Sequence, residues 1–121
     1  MIYDVIVVGG GPAGMTAAIE IKKAAPEAKI LLLDRNKKVG KKLYATGNGK
    51  CNIANTELNL SSYHSENEFF PYQIVGVESY RDVTGFFDEL GVVITDDEGY
   101  LYPMSLQAST VVWALTDRLR I

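Results

Sequence analysis

The sequence predicts an α/β fold in which two parallel strands are joined by a crossover helix. Three observations predict it. The first is a continuously apolar run, Val5-Ile6-Val7-Val8, of the kind found in strands covered on both faces. The second is the glycine pattern that follows at once: Gly9, Gly11 and Gly14 stand at G-x-G-x-x-G spacing. The third is another apolar run, Ile30 to Leu33, which ends on an acid, Asp34, 20 residues after Gly14. Between the runs, Ala13, Ala17, Ala18 and Ile21 place small and apolar residues on one helical face. Together these read as a βαβ unit over residues 1–34 in a Rossmann-like fold.

Each position in the glycine-rich stretch has a physical job. Gly9 allows the tight turn off the strand, and Gly11 lets backbone approach a ligand with no Cβ in the way. Gly14 lets the helix pack close to the sheet. Pro12, with a fixed φ and no N–H, suits the first turn, next to Ala13. The helix N-terminus then offers unpaired N–H groups and the positive end of its dipole, so the ligand is an anion. Asp34 is placed for an adenosine ribose: its two oxygens suit the ribose hydroxyls, and its charge repels a 2′-phosphate. The structural alternative is a glycine-rich turn that binds no phosphate. The combined pattern favours the dinucleotide site.

Arg35 to Lys42 carries five basic residues, Arg35, Lys37, Lys38, Lys41 and Lys42. Most read as solvated surface, with one or two able to face a diphosphate. Thr46-Gly47-Asn48-Gly49-Lys50-Cys51-Asn52 reads equally well in two ways. Asn-Gly is a hairpin-turn signal, and glycines flanking an Asn also make a loop rich in N–H groups that can lie against a polar ligand. Cys51 has no partner at C-x-x-C spacing, which excludes a dithiol pair within the chain. It reads as a buried structural thiol or as one near a cofactor. Residues 53–76 are the least periodic part, with an aromatic cluster at Phe69-Phe70-Pro71-Tyr72. His64 lies in a polar stretch without metal-ligand spacing and reads as surface.

From Ser79 the periodicity returns. Ser79 and Asp82 approximate a capping box, and Val83, Phe86, Phe87 and Leu90 repeat at helical spacing up to Gly91, which ends the helix. Val92–Thr95 and Tyr100–Tyr102 flank Asp96-Asp97-Glu98-Gly99, a β-hairpin with an acidic tip. These adjacent acids read as solvated, and no metal site is expected. Pro103 closes the hairpin and Ser105 can cap a last helix, whose stripe is Ala108, Val111, Val112, Leu115 and Leu119. Trp113 stands off that stripe.

At 121 residues the chain fits one modest domain, and its net charge of −3 argues against nucleic acid as the main partner. A single cysteine fits a reducing, cytoplasmic compartment. The apolar stretch at residues 2–8 is too short to span a membrane or serve as a signal core, and Asp4 interrupts it. A doubly wound sheet needs several parallel strands, and only two can be found. The chain is therefore expected to be the N-terminal part of a longer protein. In isolation it is expected to bind its nucleotide weakly and to self-associate through its apolar strands.

The residues resemble a known family. Tyr3 to Gly14, Gly40-Lys41-Lys42, Thr46 to Asn52, Phe86 to Gly91, Tyr102-Pro103-Met104-Ser105 and Ala108 to Val111 are similar to the BaiN-like flavoproteins. This group is also called the aminoacetone-oxidase family of NAD(P)/FAD-dependent oxidoreductases. The resemblance implies FAD, with NAD(P)H as a potential electron donor. It implies Gly9, Gly11, Ala13 and Gly14 along the pyrophosphate, with Pro12 in the same turn, and Asp34 and Arg35 at the adenosine. Lys42, Gly49, Cys51 and Asn52 would follow the cofactor toward the ribityl chain. Lys50 stands where the family more often has Arg, and a Lys there lacks planar bidentate contacts. The expected layout is the N-terminal part of an FAD-binding domain over residues 1–121. It comprises the βαβ unit, a cofactor-lining loop at 40–55 and a helix–hairpin–helix segment at 79–121. The function implied is the FAD-binding portion of a flavin oxidoreductase, with no catalytic residue nominated. The alternatives are a non-catalytic dinucleotide-binding module and an NAD-dependent dehydrogenase.

Overall fold

A computed structural model describes residues 2–67, 69–76 and 79–120. β1 (Val5–Val8) leads through the glycine turn into α1 (Pro12–Ala24) and on to β2 (Ile30–Leu33). The strands pair parallel, from Val5 opposite Ile30 to Val8 opposite Leu33. Gly14 fixes how closely the helix lies. A Cβ at this position would fall on the Gly9 carbonyl oxygen and press on Val7, so only glycine lets α1 seat against β1.

The buried face of α1 is Met15, Ala18 and Ile19. The sequence pattern places Ala13, Ala17, Ala18 and Ile21 there, and only Ala18 is on the buried face. The helix is rotated because it packs on two partners at once. Met15 and Ile19, one turn apart, fill the space between β2 and the last helix, while Ala13 and Ala17 stay exposed. The core gathers Met15, Ile19, Leu43, Cys51, Ala108, Val111, Val112 and Leu115, with Met15 and Leu115 fully enclosed.

The strands differ from expectation in coverage. Val5 and Val7 are half-buried, whereas Ile6 is 56% and Val8 83% exposed. Within the described residues the pair is therefore covered on one face only. Its strands read as doubly covered because both sides are apolar in sequence.

The second half holds a three-stranded antiparallel sheet of order β3-β5-β4. The strands are β3 (Ala54–Asn55), β4 (Ile94–Asp97) and β5 (Tyr100–Pro103). The hairpin is tighter than its sequence suggests. Asp96 pairs with Leu101 and Asp97 with Tyr100, so two of the acids belong to β4 and the turn is Glu98-Gly99 alone. Both turn residues have positive φ, 50° and 86°, the backbone whose twist matches paired strands. The Gly99 N–H donates to Asp96 Oδ1 at 2.7 Å. Pro103 is the last residue of β5, opposite Ile94, rather than a residue after it.

β3 and the short α2 (Phe70–Val75) lie in the stretch that shows no periodicity. A two-residue strand and a six-residue helix are too brief to write one. α3 (Ser79–Glu89) opens on Ser79 as a helical residue, and the cap position before it lies outside the described residues. Its end is as expected: the Gly91 N–H donates to Asp88 O at 2.8 Å and the Val92 N–H to Phe87 O at 2.9 Å. This is the paired C-terminal closure that wants glycine in a left-handed conformation. α4 (Ala108–Leu119) buries Ala108, Val111, Val112, Ala114 and Leu115, and Trp113 is 65% exposed. Its N-cap is Gln107, not Ser105. Ser105 Oγ instead accepts the Gln107 N–H at 3.3 Å and meets Thr110 Oγ1 at 2.7 Å. Among the described residues no helix is long and apolar enough to cross a membrane.

Gly91 has φ +77°, and a Cβ there would meet nothing within 4 Å. Gly91→Ala should therefore cost only the left-handed backbone penalty, about 1–2 kcal/mol. A urea-denaturation midpoint for the two proteins measures it, and an unchanged midpoint would contradict the assigned closure.

Candidate functional site

The glycine turn contains three kinds of glycine. Gly9 has φ +107°, a conformation side chains rarely adopt, and its N–H donates to Leu33 O at 2.7 Å. Gly10 is enclosed: a Cβ would run into Val39, its N–H donates to Asp34 Oδ2 at 2.7 Å, and its carbonyl accepts the Gly40 N–H at 2.7 Å. Gly11 is neither. Its φ of −81° and ψ of −176° suit any residue, and a Cβ there would touch nothing within 4 Å. The protein's own packing has no need of glycine at position 11. What a Cβ there would obstruct is approach from outside, in front of the α1 N-terminus where Pro12 occupies the first turn. Gly10 lies outside the G-x-G-x-x-G positions, and the spacing alone does not reveal its role. The only sequence signal is the unbroken Gly9-Gly10-Gly11 triplet.

Asp34 follows β2 and faces this turn. Besides the Gly10 N–H on Oδ2, its Oδ1 accepts the Asn36 N–H at 2.6 Å and Asn36 Nδ2 at 2.8 Å. The backbone N–H groups of Asn36 and Gly10, then the Asn36 amide, hold the Asp34 carboxyl below its ordinary value. A carboxylate offers about four lone-pair positions, so three protein donors leave about one, on Oδ2. A ligand hydroxyl would meet the oxygen that also holds the glycine turn. Arg35, next along the chain, is exposed.

Residues 40–55 are joined to the turn through the Gly40 N–H. Gly40 has φ +69°, and a Cβ there would meet Val112 and Met15 at 3.1–3.3 Å. Lys42, exposed, precedes a 3-10 segment over Leu43–Gly49 whose Leu43 is buried. The Asn-Gly signal does not make a hairpin. Gly47 and Asn48 are the left-handed pair, and no strand flanks them. The Lys50 N–H donates to Gly47 O and the Cys51 N–H to Thr46 O, each at 3.0 Å, closing a compact loop. Lys50 Nζ lies 5.8 Å from the centre of the Tyr102 ring, which fixes its stem over β5. Gly49 stands at φ +83°.

Cys51 is buried in the core, and burial pushes its thiol pKa up, a contact with the Thr46 hydroxyl working weakly against it. Of the two readings open from sequence, the structural thiol describes its surroundings. The residue also borders a cleft of about 1040 Å³ between α1 and α3. Pro12, Ala13, Thr16 and Ala17 line this cleft from α1, Thr46, Cys51 and Asn52 from the loop, and Phe86 and Phe87 from α3. The structure thus brings Pro12, Ala13, Cys51 and Asn52 to one cleft, while Gly9, Gly11, Gly14, Asp34, Arg35, Lys42, Gly49 and Lys50 do not line it. His64 is exposed, and the described residues contain no cluster of side chains able to hold a metal.

Comparison with known proteins decides the family. Residues 3–121 match the HI0933-like protein Rossmann domain. The chain belongs to that family. The resemblance to the BaiN-like flavoproteins is thereby shown across the chain, and the α/β, Rossmann-type fold with it. It is 36% identical over 114 residues to the 3-dehydro-bile acid delta(4,6)-reductase of Clostridium scindens, covering 94% of this chain and 28% of that protein. It is 35% identical over 68 residues to the ribosomal RNA dihydrouridine synthase of Escherichia coli, covering 56% of this chain and 16% of the synthase. An opine oxidase polypeptide of Rhizobium meliloti is 48% identical over 42 residues, 35% of this chain and 8% of that polypeptide. These relatives are named a reductase, a synthase and an oxidase subunit, and the chain spans only about a quarter of the first.

Two outcomes follow from the site. Asp34 has a lowered folded pKa, so its stabilising contribution is complete above the ordinary aspartate value of about 3.9 and is lost as pH falls through the folded value. Wild type should therefore hold its advantage over Asp34→Asn from neutral pH down to that range and lose it below. Paired acid-unfolding curves test this, and a gap independent of pH would contradict it. The Cys51 thiol should react with a disulfide reagent far more slowly in the folded protein than in urea. Equal rates would place it at the surface.

Proposed function

We propose that this chain forms the adenosine and pyrophosphate half of an FAD site in a flavin-dependent oxidoreductase. The observation that carries the reading is Gly11, a glycine with ordinary backbone angles and open space where its side chain would be. Such a position is explained by close approach of a ligand to the backbone at a helix N-terminus. The parallel β1-α1-β2 unit, the acid after β2 and the family membership support it. When bound, FAD supplies the electron and hydride chemistry.

The chain's own residues bind and orient. The Gly9–Gly11 turn and the start of α1, with Pro12, Ala13 and Gly14, receive the pyrophosphate. Asp34, through Oδ2, accepts a ribose hydroxyl, with Arg35 beside the adenosine. Lys42 and the Gly49-Lys50-Cys51-Asn52 loop lead toward the ribityl chain, where Asn52 on the cleft wall offers an amide. Cys51, neutral and enclosed, supplies shape rather than a thiolate. The substrate would be chosen elsewhere: relatives that match parts of this chain are named for a bile acid, a ribosomal RNA and an opine. The substrate thus differs among them, while a cofactor-binding part in common fits the reading.

The test separates ligand approach from packing. Gly11→Ala in the full-length protein should keep the unfolding free energy of the flavin-free protein within about 1 kcal/mol of wild type while losing bound flavin absorbance. Gly14→Ala should fail to fold, because its Cβ meets backbone. Asp34→Ala should weaken FAD retention about 10- to 100-fold, the range for losing a charged acceptor. A Gly11→Ala protein that purifies with undiminished flavin would refute the assignment.

A further inference from the structure

Asn36 is the residue at this site that the glycine pattern and the family motif leave without a role. It lies two positions past the acid, exposed, and gives both its backbone N–H (2.6 Å) and its side-chain Nδ2 (2.8 Å) to the same oxygen, Asp34 Oδ1. The other oxygen, Oδ2, receives the Gly10 N–H at 2.7 Å. Gly10 is in turn held through its carbonyl by the Gly40 N–H, also at 2.7 Å. The four residues form one line: Asn36, Asp34, Gly10, Gly40. It runs from the end of β2, across the glycine turn, to the start of the 40–55 loop.

A carboxylate on a Cβ–Cγ bond turns freely unless its oxygens are pinned. One donor on Oδ2 leaves the group free to swing about that bond. A second donor pair on Oδ1 removes the swing and selects which lone pair of Oδ2 stays free. The N–H of Asn36 comes with the chain turn, whereas the Nδ2 donor is specific to an amide or a short hydroxyl at position 36. We propose that Asn36 is a positioning residue for the adenosine end of the nucleotide site: by fixing Asp34 Oδ1, it aims the remaining Oδ2 lone pair at the ribose and keeps Gly10 locked in the pyrophosphate turn. The inference rests on the adenosine-site reading above and adds to it a residue that touches the ligand only through another. Asn36 couples two subsites that the sequence motif treats as separate, the ribose acid and the phosphate turn.

The experiment uses the full-length protein freed of flavin and titrated with FAD, ADP and FMN. For Asn36→Ala, FAD and ADP should weaken by one common factor, about tenfold, the scale of one hydrogen bond to a charged group. FMN, which has one phosphate and no adenosine, should weaken less than ADP. The acid limb of ADP affinity should move to higher pH, because Asp34 has lost a donor to its ionised form. Asn36→Ser, which restores a short donor, should recover most of the ADP affinity and return the limb toward wild type. ADP affinity unchanged in Asn36→Ala would overturn the inference alone. ADP and FMN weakened equally would also overturn it, as the mark of a general structural role. Wild-type protein that binds neither ADP nor FAD would overturn the adenosine-site reading itself, and the inference with it.

Discussion

The close approach of α1 to β1 at Gly14 is the constraint on which the rest of the structure depends. It places the helix N-terminus level with the end of the strand, where the chain must reverse within Gly9, Gly10 and Gly11. Val39 and the Cβ of Asp34 leave that turn no room for a side chain at position 10, and its amide points at the end of β2. The placement of Asp34 and the loop that begins at Gly40 both follow, since each bonds to Gly10. Two missing side chains, at Gly14 and at Gly10, thus let three segments distant in sequence meet.

The parts legible in sequence are those whose physics is local and repeated. That Val5–Val8 and Ile30–Leu33 are strands, that Gly9 makes the turn and Gly14 the close packing, and that Gly91 closes α3 all carry their own signal and stand as read. What escaped depends on neighbours. The buried side of α1 is set by α4, whose contact with Met15 and Ile19 turns the small-residue stripe outward, so Ala13 and Ala17 border a cleft instead of the core. β3 is two residues long and exists because β5 offers it an edge. The Asn-Gly pair was legible as a turn but not as this one, since Thr46 and Cys51 close the loop from outside it.

The site shows the same division. Gly11 stands out in the motif because nothing among the described residues requires a glycine there, and Asp34 by its place after β2. The motif does not identify Gly10 or Asn36, whose hydrogen bonds here are to other residues of the chain. A pattern of residue types reports what meets the outside. The network beneath it is visible only once distances are known.

Cys51 brings the halves of the chain together. Its φ of 61° is unusual for a residue with a side chain, and such strain persists only where surrounding structure over-determines it. Here the determinants are specific contacts: the Thr46 carbonyl takes its N–H, and Met15, Leu43 and Val111 share its core. Core packing thus holds the loop from one side while Gly40 ties it to the glycine turn from the other. A loop held at both ends keeps Asn52 at the same cleft as Pro12 and Ala13 without any strand of its own to carry it. The buried thiol is therefore an anchor for the loop. A thiol is neutral near pH 7 and burial raises its pKa further, so an ionisable residue sits uncharged in that core.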